Sequence, residues 1–456
     1  MENILIKNGK IVTHNKIFSG DIFISEGKIV SVGEVSDNKG FKGREIDASG
    51  LLIFPGGVDP HVHMELTAGE VVSSDNFRSG SKAALAGGTT TIIDFVTPSK
   101  GESLAKALVE RKKAAESSFC DYGLHMSIVS VYEGIRNELK KLVSEDGIIS
   151  FKMYMAYKDS VGMDDRDILE AMDMVRDAGG ISMIHCENGD SADYLGEKLK
   201  KERKKTIEFY PRSRPAIVES EAVERAISFS HLTGCPLYIV HISTKDGVDK
   251  VLEGKKEGIP VFGETCPHYL LLDDSLYGSG PESARYIMSP PLRKEIDKSA
   301  LWSALKDGII ETLATDHCPF NNKGENAIDD FSRIPKGVGS IENRLGLLYT
   351  FGVLENRITI NQFVNMISTK PAKIFGLYPQ KGTIMKGADA DLVLWDPETE
   401  FSISVKDQFQ NCDTSVYEGF KLKGKPDIVI AGGKVVFKEG LFDLNNVSGK
   451  YLFRKR

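Results

Sequence analysis

Phe54-Pro-Gly-Gly-Val-Asp-Pro-His-Val-His63 closes an apolar run that begins at Leu51 and is typical of a buried strand. In an extended chain, residues at i and i+2 point to the same face, so His61 and His63 can bind one cation together. A His-x-His pair is also compatible with two solvated histidines in a polar turn. The interpretation therefore depends on whether further ligands follow at matching places in the chain.

Composition and charge argue against several classes of protein. The chain has 456 residues, of which 41% are hydrophobic and 27% charged, and this length fits about three domains or one barrel with an appendage. Its 58 basic and 65 acidic residues give a net charge of −7, which argues against nucleic acid as a partner. Scattered cysteines, the absence of an apolar leader and the absence of a long apolar run predict a cytoplasmic protein without a membrane span.

The two ends of the chain share one pattern. Residues 1–50 alternate short β-like runs, such as Ile4-Leu-Ile-Lys, with Gly, Asn and Asp turns, and the same texture returns in residues 379–456, for example at Asp391-Leu-Val-Leu-Trp. Neither end is long enough to bury both faces of a sheet by itself. We predict that they pack into one small β-sandwich that brackets a central domain of residues 51–378.

In that central part, strand-like and helix-like patterns alternate, which predicts parallel β/α units. The opening run Leu51–Phe54 counts as the first of eight strands, and a (β/α)8 TIM-type barrel is the predicted fold. A doubly wound open sheet is the alternative, but no Gly-x-Gly-x-x-Gly follows any strand. The other seven predicted strands are Thr89–Val96, Tyr122–Ser130, Ile148–Tyr157, Ile181–His185, Pro236–Ile242, Pro260–Cys266 and Ile309–Thr315.

Further candidate ligands stand at the ends of these strands. His185 ends the fifth strand, His241 closes the sixth, and Asp316 follows the eighth. A single histidine after an apolar run is more often a core or edge residue. In the barrel the carboxyl ends of all strands meet at one face, so the combined pattern predicts a metal site there.

Lys152 lies inside the otherwise apolar fourth strand. Burial of an unpaired ammonium is costly, so such a lysine loses its charge or finds a partner. A neutral amine can react with CO2, and the resulting carbamate could bridge two cations as a carboxylate would. Alternatively, the ammonium reaches the barrel mouth and pairs with Asp316. The spacing alone does not decide between the two.

Several motifs together resemble one family, the dihydropyrimidinase/hydantoinase family of cyclic amidohydrolases, over nearly the whole chain. They are Phe54–His63, Gly87-Gly-Thr-Thr-Thr, Phe151-Lys-Met-Tyr-Met-Ala-Tyr157, Ser213-Arg-Pro215, Gly263-Glu-Thr-Cys-Pro-His-Tyr-Leu270, Ser289-Pro-Pro-Leu-Arg293, Ala314-Thr-Asp-His-Cys-Pro319 and Gly387-Ala-Asp-Ala-Asp391. The resemblance implies hydrolysis of the ring amide of a dihydropyrimidine or 5-substituted hydantoin to an N-carbamoyl amino acid. It also implies a homotetramer or a homodimer.

The resemblance further implies a centre of two divalent metal ions, usually zinc, although manganese or cobalt also suit the ligands. One metal would be held by His61 and His63 and completed by Asp316, which also acts as the base toward a bridging hydroxide. His185 and His241 would hold the other metal. A carbamylated Lys152 (N6-carboxylysine) would bridge the two.

Three further residues are expected to contact the substrate. By resemblance, Tyr157 donates a hydrogen bond to the oxyanion and Ser289 faces the ring amide, although Tyr157 could be a rim aromatic and Ser289 a turn residue. Lys336 stands where many relatives have the Asn of Pro-Asn-Gly, and its ammonium either adds a charge preference or points into solvent. The loop Met64–Ser73 also departs from the family pattern, which leaves the substrate substituent open.

Two alternative functions remain at this point. The chain could be an allantoinase- or dihydroorotase-like cyclic amidohydrolase, although the sequence near Ser289 and Asp316 fits hydantoinases better. It could also be a non-catalytic scaffold relative, but such relatives lack metal ligands, whereas all six ligand positions are present here.

Overall fold

Within residues 2–33, 41–323 and 329–456, which the computed structural model describes, eight parallel strands form a barrel. Each strand pairs with the next along the chain, and a parallel bridge between Val62 and His317 links the last strand region to the first. This arrangement confirms the predicted (β/α)8 barrel. In chain order the strands are Gly57–Val62, Thr89–Val96, Asp121–Ser127, Ser150–Tyr154, Ile181–His185, Leu237–Ile239, Val261–Thr265 and Thr312–Leu313.

The helices surround the barrel and bury one face against it. In the helix Asp165–Asp177, for example, Ile168, Met172 and Val175 are buried at three- and four-residue spacing. The α-helices are Phe77–Ala86, Leu104–Ala115, Ile135–Asp146, Asp165–Asp177, Gly189–Lys201, Tyr210–Ser213, Ala216–Thr233, Lys245–Lys256, Pro267–Leu271, Glu295–Lys306, Arg344–Leu348, Ile360–Val364 and Lys370–Ile374. Shorter 3-10 turns are Ile207–Phe209, Asp274–Leu276, Pro281–Tyr286, Phe331–Arg333 and Val405–Asp407, and π-helical segments are Tyr349–Leu354 and Asn365–Thr369. In the described ranges, no helix is both long and apolar enough to cross a membrane.

Both chain ends contribute to a second sheet, as predicted. The two ends meet where Leu52–Pro55 pairs in parallel with Ile4–Val12 and antiparallel with Leu392–Ser402. Alternate residues of both arms lie in one apolar cluster, so the sheet curls around a core of its own. Its strands in the described ranges are Ile4–Val12, Ile17–Ser25, Lys28–Gly33, Arg44–Asp47, Leu52–Pro55, Leu392–Ser402, Lys421–Ala431, Lys434–Lys438 and Leu441–Phe442.

The prediction that the run Leu51–Phe54 opens the barrel is wrong. The run is a strand, but it belongs to the sheet of the chain ends, and the first barrel strand is Gly57–Val62. The chain passes between the two sheets at Gly56, where a Cβ would lie 2.1 Å from the Thr90 hydroxyl oxygen. A run of apolar residues indicates that a strand is buried, but it does not indicate to which sheet the strand belongs.

One lysine ties the two sheets together. Lys381 Nζ lies 2.5 Å from carboxylate oxygens of Asp121 in the third barrel strand and of Asp391 beside the second sheet, and 3.0 Å from Asp389. The Lys381 side chain is 1% exposed, so this ionic contact is buried. The three carboxylates raise the pKa of Lys381 above its ordinary value. The cluster is therefore satisfied by the protein's own cation.

Candidate active site

The predicted ligands lie together at the carboxyl-terminal ends of the barrel strands. Parallel strands direct these ends to one face, so residues far apart in the sequence meet there. His61 is in the first strand, and His63 follows that strand directly. The other predicted ligands are Lys152 within the fourth strand, His185 at the end of the fifth, His241 after the sixth and Asp316 after the eighth.

His61, His63 and Asp316 form one cluster. The Nε2 atoms of the two histidines are 3.2 Å apart, and each lies 3.2 Å from Oδ1 of Asp316. On the other side of the His61 ring, Nδ1 lies 2.7 Å from Oε1 of Glu264. Because a carboxylate accepts the hydrogen bond, it favours the proton on Nδ1 and leaves the Nε2 lone pair directed at the cluster.

His185 and His241 form a second cluster, in which one histidine again has its outer nitrogen next to a carboxylate. His185 Nδ1 lies 2.9 Å from His241 Nε2, whereas His185 Nε2 lies 2.8 Å from Oε2 of Glu187. The two clusters are adjacent, since the rings of His61 and His241 have centroids 5.6 Å apart. Burial lowers the pKa of His61, His185 and His241, and the neutral imidazole is the form that binds a metal.

Lys152 is 1% exposed, and its Nζ lies 5.1 Å from the ring centroid of Phe95 and 5.2 Å from that of Tyr154. Burial lowers the pKa of Lys152 to about 8, while Asp316 and Glu264 act in the opposite direction. In the described part of the chain, the ion pairs of Asp316 are with His61 and His63. The structure therefore does not form the predicted alternative, an ion pair between Lys152 and Asp316.

These residues fit a divalent cation. One ligand atom each from His61, His63 and Asp316 lies within 4.8 Å of the others, as one bound ion requires. In both His61 and His185, the ring nitrogen that faces away from the cluster contacts a carboxylate, and such contacts orient metal-binding imidazoles. Nitrogen and carboxylate ligands of this kind suit zinc and related metals.

Three residues of the site have positive φ angles, a backbone conformation that residues other than glycine rarely adopt. The φ angles of Tyr157, His241 and Asp316 are 60°, 39° and 47°. Such conformations cost free energy and persist where the surrounding structure imposes them, typically at functional sites. Here they occur where the chain leaves the fourth, sixth and eighth strands, next to the histidine clusters.

Tyr157 and Ser289 lie beside the second cluster. The Tyr157 ring has its centroid 5.1 Å from that of His185, and Arg214 Cζ lies 5.5 Å from the Tyr157 centroid. Ser289 Oγ donates a hydrogen bond of 3.1 Å to Oε2 of Glu187. Burial raises the pKa of Tyr157, so its hydroxyl stays protonated and can donate.

Two cavities adjoin the clusters. One of about 310 Å³ is lined by His63, Phe95 and Leu66, the last in the loop Met64–Ser73. The other, of about 370 Å³, is lined by Lys336 together with Arg214 and Tyr210. The structure thus places Lys336 in the wall of a cavity that shares Arg214 with the second cluster, where Arg214 donates to Glu187.

Comparison with known proteins assigns this arrangement to a family. The sequence profile of the amidohydrolase family matches residues 52–436. The chain belongs to the amidohydrolase family. It is 42% identical to the D-hydantoinase of Geobacillus stearothermophilus, over 99% of this chain and 96% of that protein, and 37% identical to the dihydropyrimidinase of Rattus norvegicus, over 100% and 89%. The crystal structure of a dihydropyrimidinase from Brevibacillus agri superposes with a TM-score of 0.96 at 39% identity, over 99% of this chain and 98% of that one.

These matches confirm the resemblance inferred from the motifs. Amidohydrolases are metal-dependent, and this amidohydrolase carries a candidate His/Asp metal site. The carboxyl-terminal barrel face is where enzymes with this fold place their chemistry. The clustered residues are therefore a candidate active site.

Sequence analysis missed the functional role of Glu264. In this amidohydrolase its carboxylate accepts hydrogen bonds from the Tyr238 hydroxyl (2.7 Å) and the His241 backbone N–H (3.1 Å), besides the contact with His61. Like Lys152, it is a charged residue inside a buried strand, and that signal could have identified it.

Glu187 holds the second histidine cluster from the side of the fifth strand. Its Oε2 contacts His185 and accepts hydrogen bonds from Arg214 Nη1 at 2.6 Å and from Ser289. Asn188 follows as the N-cap of the helix Gly189–Lys201, and its side chain accepts from the Ser191 backbone N–H. Because the helix begins so soon after the strand, Glu187 lies against His185, the candidate ligand two residues before it.

Proposed function

We propose that the protein hydrolyses the ring amide bond of cyclic diamides, converting a dihydropyrimidine or a 5-substituted hydantoin to an N-carbamoyl amino acid. The observation that carries the proposal is the pair of adjacent histidine clusters with Asp316 at the catalytic face of an amidohydrolase barrel. Full-length relatives named D-hydantoinase and dihydropyrimidinase, at about 40% identity, support this substrate class.

The proposed metal centre contains two divalent cations, with zinc as the proposed metal and manganese or cobalt as suitable substitutes. His61, His63 and Asp316 would hold one cation, and His185 and His241 the other. When bound, the cations supply Lewis acidity and lower the pKa of water at the site toward neutrality.

Lys152 would bridge the two cations as N6-carboxylysine. In this modification the neutral Nζ forms a bond to the carbon of CO2 and releases one proton, which leaves a carbamate with two oxygen ligands. The lowered pKa of about 8 supports the proposal, because a substantial fraction of the amine is neutral near physiological pH. Its proximity to both clusters also supports the proposal, because its charge adds to burial in lowering the pKa of His61 in one cluster and of His185 and His241 in the other.

Asp316 is the proposed base. Its carboxylate would accept the proton of the attacking water and donate it to the leaving ring nitrogen. The histidines that face its Oδ1 at 3.2 Å hold the pKa of Asp316 well below the ordinary value, so the carboxylate is ionised before the reaction.

Tyr157 and Ser289 would hold the substrate. The protonated Tyr157 hydroxyl would donate a hydrogen bond to the oxygen that gains charge as the ring carbonyl is attacked. Ser289 would face the ring amide, and Lys336 would stand at the edge of the same site. The contact of Ser289 with Glu187, which also holds His185, supports this placement.

An allantoinase- or dihydroorotase-like activity would use the same centre, but the names of the matched relatives favour hydantoins and dihydropyrimidines. A scaffold role is disfavoured because all six ligand positions are present. The family resemblance favours a homotetramer or homodimer that acts on a small molecule. The cysteine pattern favours a cytoplasmic location, and the net charge of −7 argues against nucleic acid as a partner.

The proposal is tested by metal analysis together with a substrate panel. Protein expressed with added zinc, manganese or cobalt is assayed with dihydrouracil, hydantoin, 5-phenylhydantoin, allantoin and dihydroorotate. We expect two metals per chain and ring opening of the first three compounds. Protein without bound metal, or activity confined to allantoin or dihydroorotate, would overturn the proposal.

A further inference from the structure

The cavity of about 370 Å³ beside the second histidine cluster is large enough for a substituent of a small ring. Its wall contains Tyr210, Arg214 and Lys336. Arg214 also faces the active site, because its Cζ lies 5.5 Å from the Tyr157 ring centroid and its Nη1 donates to Glu187. The cavity wall and the active site thus share Arg214.

Three cations line the cavity, Lys200, Arg214 and Lys336, and the last two differ in how they are neutralised. Arg214 is 7% exposed and donates to Glu187 at 2.6 Å, so its charge is paired. Lys336 is partly buried, and within the described ranges no ion pair within 4 Å of its Nζ is found. Burial lowers the pKa of Lys336 to about 8, with Arg214 acting in the same direction. Of these two cations, Lys336 is therefore the one that a ligand anion would stabilise more.

The acidic residues of the cavity do not cancel this charge. Asp159, Asp193 and Glu197 also line it, but all three are exposed. Charges that face water interact weakly because solvent and salt screen them. Asp193 thus offsets only part of the positive charge at Lys336, whose pKa stays below its ordinary value.

We propose that this cavity binds a carboxylate at the end of the substrate's ring substituent and that Lys336 selects substrates that carry one. The inference rests on the proposed function and deepens it. The substrate class is a hydantoin or dihydropyrimidine with an acidic side chain. A carboxylate would give Lys336 the ionic hydrogen bond that it lacks, whereas a neutral amide of the same shape would leave the charge uncompensated.

The test compares two hydantoins of equal shape and different charge, 5-(2-carboxyethyl)hydantoin and its primary amide. In the metal-loaded wild-type protein, we expect kcat/KM for the acid to exceed that for the amide by about tenfold or more. In Lys336→Gln the acid-to-amide ratio should fall toward one. The ratio is taken within each variant, so a general loss of activity cancels.

Lys201→Gln is the matched control, because it removes the same charge from an exposed position on the helix Gly189–Lys201 outside the cavity. Its acid-to-amide ratio should stay within about twofold of the wild type. No preference for the acid in the wild type, or a preference that survives in Lys336→Gln, overturns the inference.

A binding measurement separates this inference from the proposed function. Dissociation constants of N-carbamoylglutamate and N-carbamoylglutamine, the hydrolysis products of the two hydantoins, require no turnover. We expect tighter binding of the glutamate compound in the wild type and loss of that preference in Lys336→Gln. If unsubstituted hydantoin and dihydrouracil are not opened, the proposed function fails, and the binding constants still decide the charge preference of the cavity.

Discussion

His61 Nδ1 lies 2.7 Å from Oε1 of Glu264, a contact between the first and seventh barrel strands. The same carboxylate accepts from the His241 backbone N–H and the Tyr238 hydroxyl. One buried residue therefore positions a histidine of each cluster. Residues of this kind strongly influence metal affinity although they do not touch the metal.

Glu264→Gln should lower metal affinity about 10- to 100-fold, because an amide cannot fix the His61 tautomer as a carboxylate does. Competition with a chelator measures the effect. Glu311→Gln is the control, since Glu311 pairs with Lys255 and with the Gly263 backbone outside the cluster. Equal metal affinity in wild type and Glu264→Gln would contradict the assigned role.

Lys152→Ala should lose most activity and bind less metal, because the proposed bridge is removed. Short carboxylates such as acetate should restore part of the activity by replacing the carbamate oxygens. The control is Lys158→Ala. Lys158 lies in the loop after the same strand and pairs with Asp164, so the activity of this variant should respond little to acetate. Full activity of Lys152→Ala without added carboxylate would refute the bridge.

Tyr157→Phe should reduce kcat by about 10²- to 10³-fold, since one hydrogen bond to the developing oxyanion is lost. KM should change much less, because the bond forms mainly in the transition state. Tyr154→Phe is the control. It removes a hydroxyl from a ring whose centroid lies 6.4 Å from that of Tyr157, and it should reduce kcat less than Tyr157→Phe does. A rise in KM at unchanged kcat would assign Tyr157 to ground-state binding instead.

Lys381→Met should destabilise the fold by about 3–5 kcal/mol, because it leaves the carboxylates of Asp121, Asp389 and Asp391 close together without a cation. Thermal unfolding measures the change. The exposed Lys386→Met serves as the control and should alter stability by less than about 0.5 kcal/mol. A small effect at Lys381 would show that the sheet and the barrel do not depend on this contact.

Glu342→Gln should change the pH dependence of stability. Burial raises the pKa of Glu342 to about 7, although its carboxylate accepts from the Phe409 and Gln410 backbone N–H groups. The folded state therefore favours the protonated form, and the wild type loses stability as pH rises from about 4.5 through 7.

Between pH 5 and pH 8, the melting temperature of Glu342→Gln should accordingly improve relative to the wild type, by the equivalent of about 2.5 kcal/mol. The exposed Glu145→Gln should show no such trend. Parallel pH profiles of wild type and Glu342→Gln would be inconsistent with a raised pKa.

Much of the barrel could be predicted because hydrophobic periodicity reports burial. Seven predicted barrel strands occur in the structure. Two have the predicted bounds, and five differ at their ends, for example Ile148–Tyr157 against the observed Ser150–Tyr154. The run before His61 was assigned to the wrong sheet because its residues are buried in either arrangement. Its partners, Ile4–Val12 and Leu392–Ser402, are identified only by the folded chain.

The amino-acid sequence alone places particular residue types at the ends of the barrel strands, and from these residues the candidate ligands and the family could be inferred. This was possible because parallel strands of a barrel bring their carboxyl ends to one face whatever the sequence between them. The contacts of Glu264 and Glu187 with the histidines, and the position of Lys336 in a cavity wall with Arg214, are visible only in the folded chain. Such contacts join residues far apart in the sequence, and local patterns carry no information about the partner.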